Sequence, residues 1–257
     1  MSFDSDLNAC AALVQKADAD RFAAVMASPV PAREVLFPLY AFNVEVSRAP
    51  WVTQETMIAE MRLQWWRDAV EEIEKDAQVR RHEVVTPLAR VIGADIAPVL
   101  DRLVAARRWD IYKDAFEDAA HFERYIDETA GGLMWAAARA LGQPAQAETE
   151  ARVRALGFAT GLARFLQAVP ALEAHKRLPL VDGRPETVAD LAGRALKKCP
   201  DRSEVKALLT PTARPAVTEA FLAQSLLRRV VANPMAVAQG ALAVSPVRRS
   251  WQLWRWS

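Results

Sequence analysis

Apolar residues recur every three to four positions along most of this chain, the period of helices that bury one face. The clearest case follows Thr53, with Thr56 a near alternative as its cap. Ile58, Met61, Trp65, Trp66, Ala69, Val70 and Ile73 form one stripe, and Glu60, Gln64, Arg67, Asp68, Glu71 and Glu74 fall outside it. A first helix is expected from a cap at Ser5 or Asp6 to about Met26, where Ser28-Pro29-Val30-Pro31 stops it. A second starts near Ala32 and ends by Pro50. Further helices are expected at about Val84–Ile92, Asp95–Trp109, Phe122–Leu141, Ala147–Val169, Val188–Lys197, Glu204–Leu208 and Ala213–Val231. Pro170 to Pro185 reads as a loop, and Pro234 to Pro246 as a weaker connector. No repeat, low-complexity tract or linker interrupts the pattern. The expectation is an all-α chain forming a single domain over 1–257, with a distinct tail at 246–257.

Composition narrows the function classes. Of 257 residues, 52% are hydrophobic, and 33 Lys+Arg stand against 32 Asp+Glu. That suits a sizeable core and argues against general disorder or a surface built for nucleic acid. Cys10 and Cys199 form neither a disulfide framework nor a metal knuckle. The first twenty residues carry Asp4, Asp6, Asp18 and Asp20 and one cation, Lys16, unlike a signal peptide or mitochondrial presequence. No unbroken apolar run reaches about 18 residues, so no transmembrane helix is expected. The expected location is cytoplasmic, extending to the inner face of the inner membrane as a peripheral protein.

Several local patterns carry candidate chemistry. Asp110 and Asp114, like Asp114 and Asp118, are four residues apart, and on a helix such a pair would share a face and could hold Mg²⁺. The plainer reading is a solvated acidic turn. Glu71, Glu72, Glu74 and Asp76 read as a solvated face. His82, His121 and His175 are too scattered for a local metal site and read as surface residues. No P-loop, Gly-x-Ser-x-Gly or Gly-x-Gly-x-x-Gly occurs. Gly131, Gly132, Gly157 and Gly161 sit inside helical pattern, where they allow close helix approach or leave room for an apolar ligand. The tail combines Arg248, Arg249 and Arg255 with Trp251, Trp254 and Trp256. Such a segment either meets an anionic membrane surface or packs its indoles on the bundle.

The order of motifs resembles the squalene/phytoene synthase family across nearly the whole chain. The residues that carry it are Asp20-Arg21-Phe22, Leu39-Tyr40-Ala41-Phe42-Asn43-Val44-Glu45, Met61-Arg62-Leu63-Gln64-Trp65-Trp66-Arg67, Tyr125 with Thr129-Ala130-Gly131-Gly132-Leu133-Met134, Leu156-Gly157-Phe158-Ala159-Thr160-Gly161-Leu162 and Ser245-Pro246-Val247-Arg248-Arg249-Ser250-Trp251. The resemblance implies an isoprenoid-synthase-type helical bundle around a central apolar cavity. It also implies two Asp-x-x-x-Asp motifs that hold Mg²⁺ against prenyl diphosphates. By position, Ser47 and Trp51 replace the first pair of aspartates, and Ala168 and Leu172 the second, with Pro50 and Pro170 inside the motifs. Arg48 and Arg164 stand nearby, where they suit a phosphate but not Mg²⁺.

The run Ala41 to Glu45, followed by Met61 to Trp66, resembles the branch containing an assembly factor of mitochondrial respiratory complex I and its bacterial relatives. The expectation is therefore a non-catalytic member acting at a membrane in complex assembly. Partners would be respiratory-complex subunits, a lipid or prenyl ligand, and a membrane surface met through Arg248, Arg249, Trp251, Trp254 and Trp256. One alternative is an active prenyltransferase using Arg48, Arg164, Lys176 and Arg177 in place of metal. Another is a helical carrier of hydrophobic ligands. The resemblance places the ligand pocket at Tyr40, Asn43, Glu45, Arg48, Tyr125, Gly131, Met134, Gly157, Gly161, Arg164 and Gln167. No residue is assigned a catalytic role, and no cofactor is expected, Mg²⁺ entering only with the enzyme reading.

Overall fold

A computed structural model describes residues 4–53 and 55–256. Met1–Phe3 at the start of the acidic N-terminal segment, Gln54 and the terminal Ser257 lie outside the described residues. Among the described residues there are helices and no strands. Helix α1 (Ser5–Ala17) is capped by Asp4, one residue before the expected cap, whose carboxylate accepts from the Leu7 amide at 2.8 Å. The expected single helix to Met26 breaks at Asp18, which caps α2 (Ala19–Met26) by accepting from the Arg21 amide at 2.9 Å. That break turns the Asp18 carboxylate toward arginines of other helices. Helix α3 (Val30–Arg48) begins with Pro31 in its first turn, where a missing N–H costs nothing, and passes into a 3₁₀ turn at Ala49–Trp51.

Helix α4 (Thr56–Glu74) has Glu55 at its N-cap rather than either expected threonine, and no side chain caps it. Its core stripe differs from the expected one in the first two turns. Ala59, Leu63, Trp66, Ala69, Val70 and Ile73 are buried, while Ile58 and Met61 face outward. Both stripes have helical spacing, and only the packed neighbours α6 and the 3₁₀ turn select between them.

Three short helices follow: α5 (Val85–Leu88), α6 (Ala97–Ala106) and α7 (Trp109–Tyr112). The expected helix over Phe122–Leu141 is α8 (Ala119–Ile126), a π-helical turn at Asp127–Gly131, and α9 (Gly132–Ala140). Helix α10 (Ala147–Ala174) runs through Pro170 and takes the first residues of the expected loop. By length and composition α10 is apolar enough to cross a membrane, although Arg164 interrupts its apolar run. Half of its most apolar stretch is buried inside the structure.

Helices α11 (Pro185–Lys198) and α12 (Arg202–Leu208) come next, α12 with a capping box between Asp201 and Glu204. The expected helix over Ala213–Val231 is a 3₁₀ segment, Arg214–Leu222, followed by α13 (Ala223–Ala232). The expected connector holds α14 (Met235–Ala238), and the tail is α15 (Pro246–Trp256).

Two apolar clusters form the core. One joins Leu36, Phe42, Leu63, Trp66, Leu103 and Leu133 across α3, α4, α6 and α9. The other joins Phe122, Ile126, Leu162, Leu166, Leu227 and Val230 across α8, α10 and α13. The glycine question resolves toward packing. A Cβ on Gly157 would come within 2.8 Å of the Gly131 Cα, and one on Gly161 would fall inside contact distance of the Ala130 methyl. These glycines let α10 press against the π turn, and the wall of the cleft described below depends on that approach.

Candidate functional site

A cleft of about 520 Å³ opens between the α1–α2 junction, the end of α3, α8 with the π turn, and α10. Its wall is rich in guanidinium groups: Arg21, Arg48, Arg107 and Arg164 line it together with the carboxylates of Asp18 and Asp110. Charge at such a density inside a bundle survives only if it is paired or faces a ligand.

The innermost part is a paired network. Arg21 donates through Nε to Glu219 at 2.5 Å and through Nη1 to Asp18 at 2.9 Å. Arg164 donates to the same Asp18 oxygen at 2.8 Å. The Tyr40 hydroxyl donates to Glu219 at 3.3 Å. Burial favours the neutral form of Asp18, yet Arg164 and Arg21, with the Arg21 amide, outweigh it and hold this carboxyl at about 2. Burial, with the Glu219 charge beside it, pushes the Tyr40 hydroxyl well above its ordinary value, so it stays a neutral donor.

A second network lies elsewhere in the cleft wall. Arg107 Nη1 donates to the Tyr125 hydroxyl at 2.8 Å and to Asp110 at 3.2 Å, and Tyr125 in turn donates to Asp110 at 3.0 Å. Burial raises the Tyr125 hydroxyl far above its usual value, so it too remains protonated. Arg177, buried beside it, donates to the Asp110 carbonyl and sits over the rings of Trp51 at 4.5 Å and Trp109 at 5.7 Å.

Donor capacity is left over in both networks. Arg164 Nη2, Arg107 Nε, and Nε and Nη1 of Arg177 are buried and make no hydrogen bond. Arg164 Nη2 has only the Glu219 carboxylate at 3.7 Å. Arginine offers five donors in a planar fork, and buried donors without acceptors are costly. The arrangement therefore favours an anionic ligand with several oxygens. For a divalent cation the donor set is wrong: both cleft carboxylates are already bonded to arginines, and no cluster of three His, Cys, Asp or Glu suited to a metal occurs among the described residues. A second groove, of about 490 Å³ between α8, α10 and α11, has less to offer, because its Arg154 is paired with Asp127 at 2.5 Å.

The expected pocket residues divide. Asn43, Arg48, Tyr125, Gly161 and Arg164 line the cleft, as do Ser47, Trp51, Ala168 and Leu172. Tyr40 is buried beneath it, and Met134 is core. Glu45 pairs with Arg48 at 3.1 Å. Gly131 and Gly157 meet each other at the contact between the π turn and α10. Gln167 turns the other way and donates to the Leu242 carbonyl at 3.2 Å.

The metal reading of the acidic pair Asp110/Asp114 is corrected, and the solvated-turn reading fails at Asp110 while it fits Asp114. Helix α7 ends at Tyr112 and Lys113 adopts a left-handed φ of 58°, so the two acids never share a helical face. Asp110 is 3% exposed and belongs to the Tyr125 network, whereas Asp114 is exposed. Asp18, Arg21, Arg107 and Glu219 belong to the site without being among the expected pocket residues. Arg107 and Asp110 are three residues apart, a helical ion-pair spacing that signals the second network. Nothing local signals Glu219, which reaches Arg21 across 198 positions.

In the tail, the packing reading holds for Trp256. Trp256 donates to the Val217 carbonyl at 2.8 Å and packs against both core clusters. Arg249 pairs with Asp20 at 2.6 Å. Val247, Trp251 and Trp254 face outward, Trp254 being 75% exposed.

Comparison with known proteins bears on this bundle. The sequence pattern of the squalene/phytoene synthase family matches residues 14–181, which includes most of the cleft. The chain belongs to the squalene/phytoene synthase family. Among curated relatives, a Drosophila melanogaster homologue of NADH dehydrogenase (ubiquinone) complex I assembly factor 6 is 31% identical over 232 residues, covering 86% of this chain and 68% of that protein. Human complex I assembly factor 6 is 25% identical, covering 63% of this chain and 48% of its own length. This family member thus spans two thirds of the fly relative and about half of the human one. Two solved structures share the fold. A dehydrosqualene synthase crystallised with ligand superposes with a TM-score of 0.77 at 16% identity, covering 97% of this chain and 94% of the other. A squalene synthase from Alicyclobacillus acidocaldarius gives 0.68 at 15% identity, covering 92% and 94%. The isoprenoid-synthase helical fold expected from the resemblance is therefore the fold of this chain.

Proposed function

We propose that this squalene/phytoene synthase family member binds its ligand without transforming it, and serves as an assembly factor for a respiratory NADH dehydrogenase at a membrane surface. One observation carries the first part. Ser47, Trp51, Ala168 and Leu172, which stand where the resemblance puts the aspartates of a synthase, all line the cleft, and none offers a carboxylate. Ionising an allylic diphosphate concentrates negative charge on the leaving group, and metal ions normally neutralise it. The names of the animal relatives support the second part and supply the partner class, the subunits of complex I. The outward face of α15, with Trp251 and Trp254 beside Arg248 and Arg255, supports a peripheral membrane contact.

The test is diphosphate release and prenyl product formation from farnesyl and geranylgeranyl diphosphates, with and without Mg²⁺, beside an active synthase. No turnover above background is expected. Turnover would overturn the reading and restore a prenyltransferase that uses Arg48, Arg164, Lys176 and Arg177 in place of aspartate-bound metal. For the assembly role, deleting the gene in its host should lower NADH dehydrogenase activity while other respiratory complexes persist. Unchanged complex I would reject it. For the tail, Trp251→Ser/Trp254→Ser should weaken vesicle binding with folding intact. This is a cleaner probe than deleting Val247 onward, which would also remove the packed Trp256.

A further inference from the structure

The cleft holds a charged network, and exposed apolar side chains lie on the segments beside it. Arg21 lines the cleft and is bonded to Glu219, which Tyr40 also reaches, and all three are buried. Trp51 lines the cleft and is itself exposed, with Val52 exposed next to it. The first turns of α4, which pack against the 3₁₀ turn carrying Trp51, point Met57 (75% exposed), Ile58 and Met61 (65% exposed) outward. On the other side, the segment that supplies Arg177 under the Trp51 ring continues into Leu178, 64% exposed. Several large apolar side chains exposed on adjoining segments are unusual on a monomer surface, and the segments that carry them adjoin Trp51 and Arg177 at a cleft with buried guanidinium donors that make no hydrogen bond.

We propose that this apolar surface rests in the outer part of a phospholipid leaflet and that the cleft receives the phosphate of an anionic phospholipid, without a divalent metal. Arg48, whose side chain is half exposed, would meet the phosphate first, and the free N–H groups of Arg107 and Arg164 would take its inner oxygens. Trp51, Met57, Met61 and Leu178 would stay among the acyl chains, the place that an indole and flexible thioethers favour. The charge complementarity chooses the occupant. A neutral lipid or an apolar peptide would leave the buried guanidinium donors unsatisfied, whereas a phosphate fills them. The inference rests on the reading that the cleft binds without turnover, and names what it binds.

The experiment measures co-flotation of the full chain with phosphatidylcholine vesicles, with and without phosphatidylglycerol, in EDTA and in parallel with Mg²⁺. Wild type is expected to float with the phosphatidylglycerol vesicles. Arg48→Gln should bind about fivefold more weakly, the loss expected for one cation at an anionic surface. Met57→Ser/Met61→Ser should also bind more weakly, and both variants, altered only at exposed positions, should unfold at the wild-type temperature. Equal binding to both vesicle types, wild-type binding by both variants, or a requirement for Mg²⁺ would each overturn the proposal. So would stabilisation by inorganic phosphate with no vesicle binding, which would leave a free anion as the occupant. Turnover with Mg²⁺ alongside intact vesicle binding would fail the non-catalytic reading alone. Absence of both would fail this inference alone.

Discussion

Asp18 concentrates several roles in one side chain. It caps α2 and accepts hydrogen bonds from Arg21 and Arg164, holding two helices to one another. Its carboxyl sits near 2 in the folded chain against 3.8 for the ordinary group. A lowered folded value means that the stabilisation is present above the unfolded pKa and lost as pH falls toward 2. The difference is worth about 2 kcal/mol at neutral pH. Urea unfolding of Asp18→Asn is expected to show about that loss at pH 7 and a flatter dependence between pH 4 and 2. Equal slopes for mutant and wild type would remove Asp18 from the linkage. Tyr125→Phe tests the neighbouring network. It deletes a hydroxyl that donates to buried Asp110 and accepts from Arg107, and should cost about 1–3 kcal/mol in the same assay.

Between elements, closeness of approach matters more than helix propensity. Gly161 and Gly193 are both helical, but α10 presses Gly161 against Ala130 of the π turn, whereas nothing lies within 4 Å of a Cβ on Gly193. Gly161→Ala should therefore destabilise by about 1–3 kcal/mol through overpacking. Gly193→Ala, in an open helical position, should stabilise by up to about 1 kcal/mol through propensity alone. Opposite signs in thermal melts would confirm that Gly161 of α10 serves contact and Gly193 of α11 does not. Helix α15 divides in the same manner. Trp256→Ala removes a hydrogen bond to Val217 and contacts with both core clusters, so it should lower the melting temperature by several degrees. The heptapeptide Ser245–Trp251 of the family ending does not by itself tell which indoles pack. The turn of α15 on the 3₁₀ segment does.

For the molecule as a whole, the cleft presents arginine where metal chemistry needs acid. Inorganic phosphate should raise the melting temperature, since a ligand that binds only the folded chain stabilises it by mass action. Mg²⁺ should leave it unchanged. A rise with Mg²⁺ alone would point to a cation site that the paired carboxylates of Asp18 and Asp110 argue against.

The helical class and most helix positions follow from periodicity and proline placement, because those signals act within a few residues. The family resemblance rests on motif order along the chain, and its residues Asn43, Arg48, Tyr125, Gly161 and Arg164 do gather at one cleft. Periodicity fails where two faces of one helix are both apolar, as in α4, where Leu63 rather than Met61 enters the core. It fails again at Lys113, whose left-handed turn separates Asp110 from Asp114. Helix spacing alone also cannot place Arg21 against Glu219, a contact made when α2 and the 3₁₀ segment pack together. The sequence determined which helices form, since that depends on neighbours in the chain. Only the tertiary structure decided which charges are paired and which guanidinium groups remain open to a ligand, since burial and ion pairing depend on residues far apart in the chain.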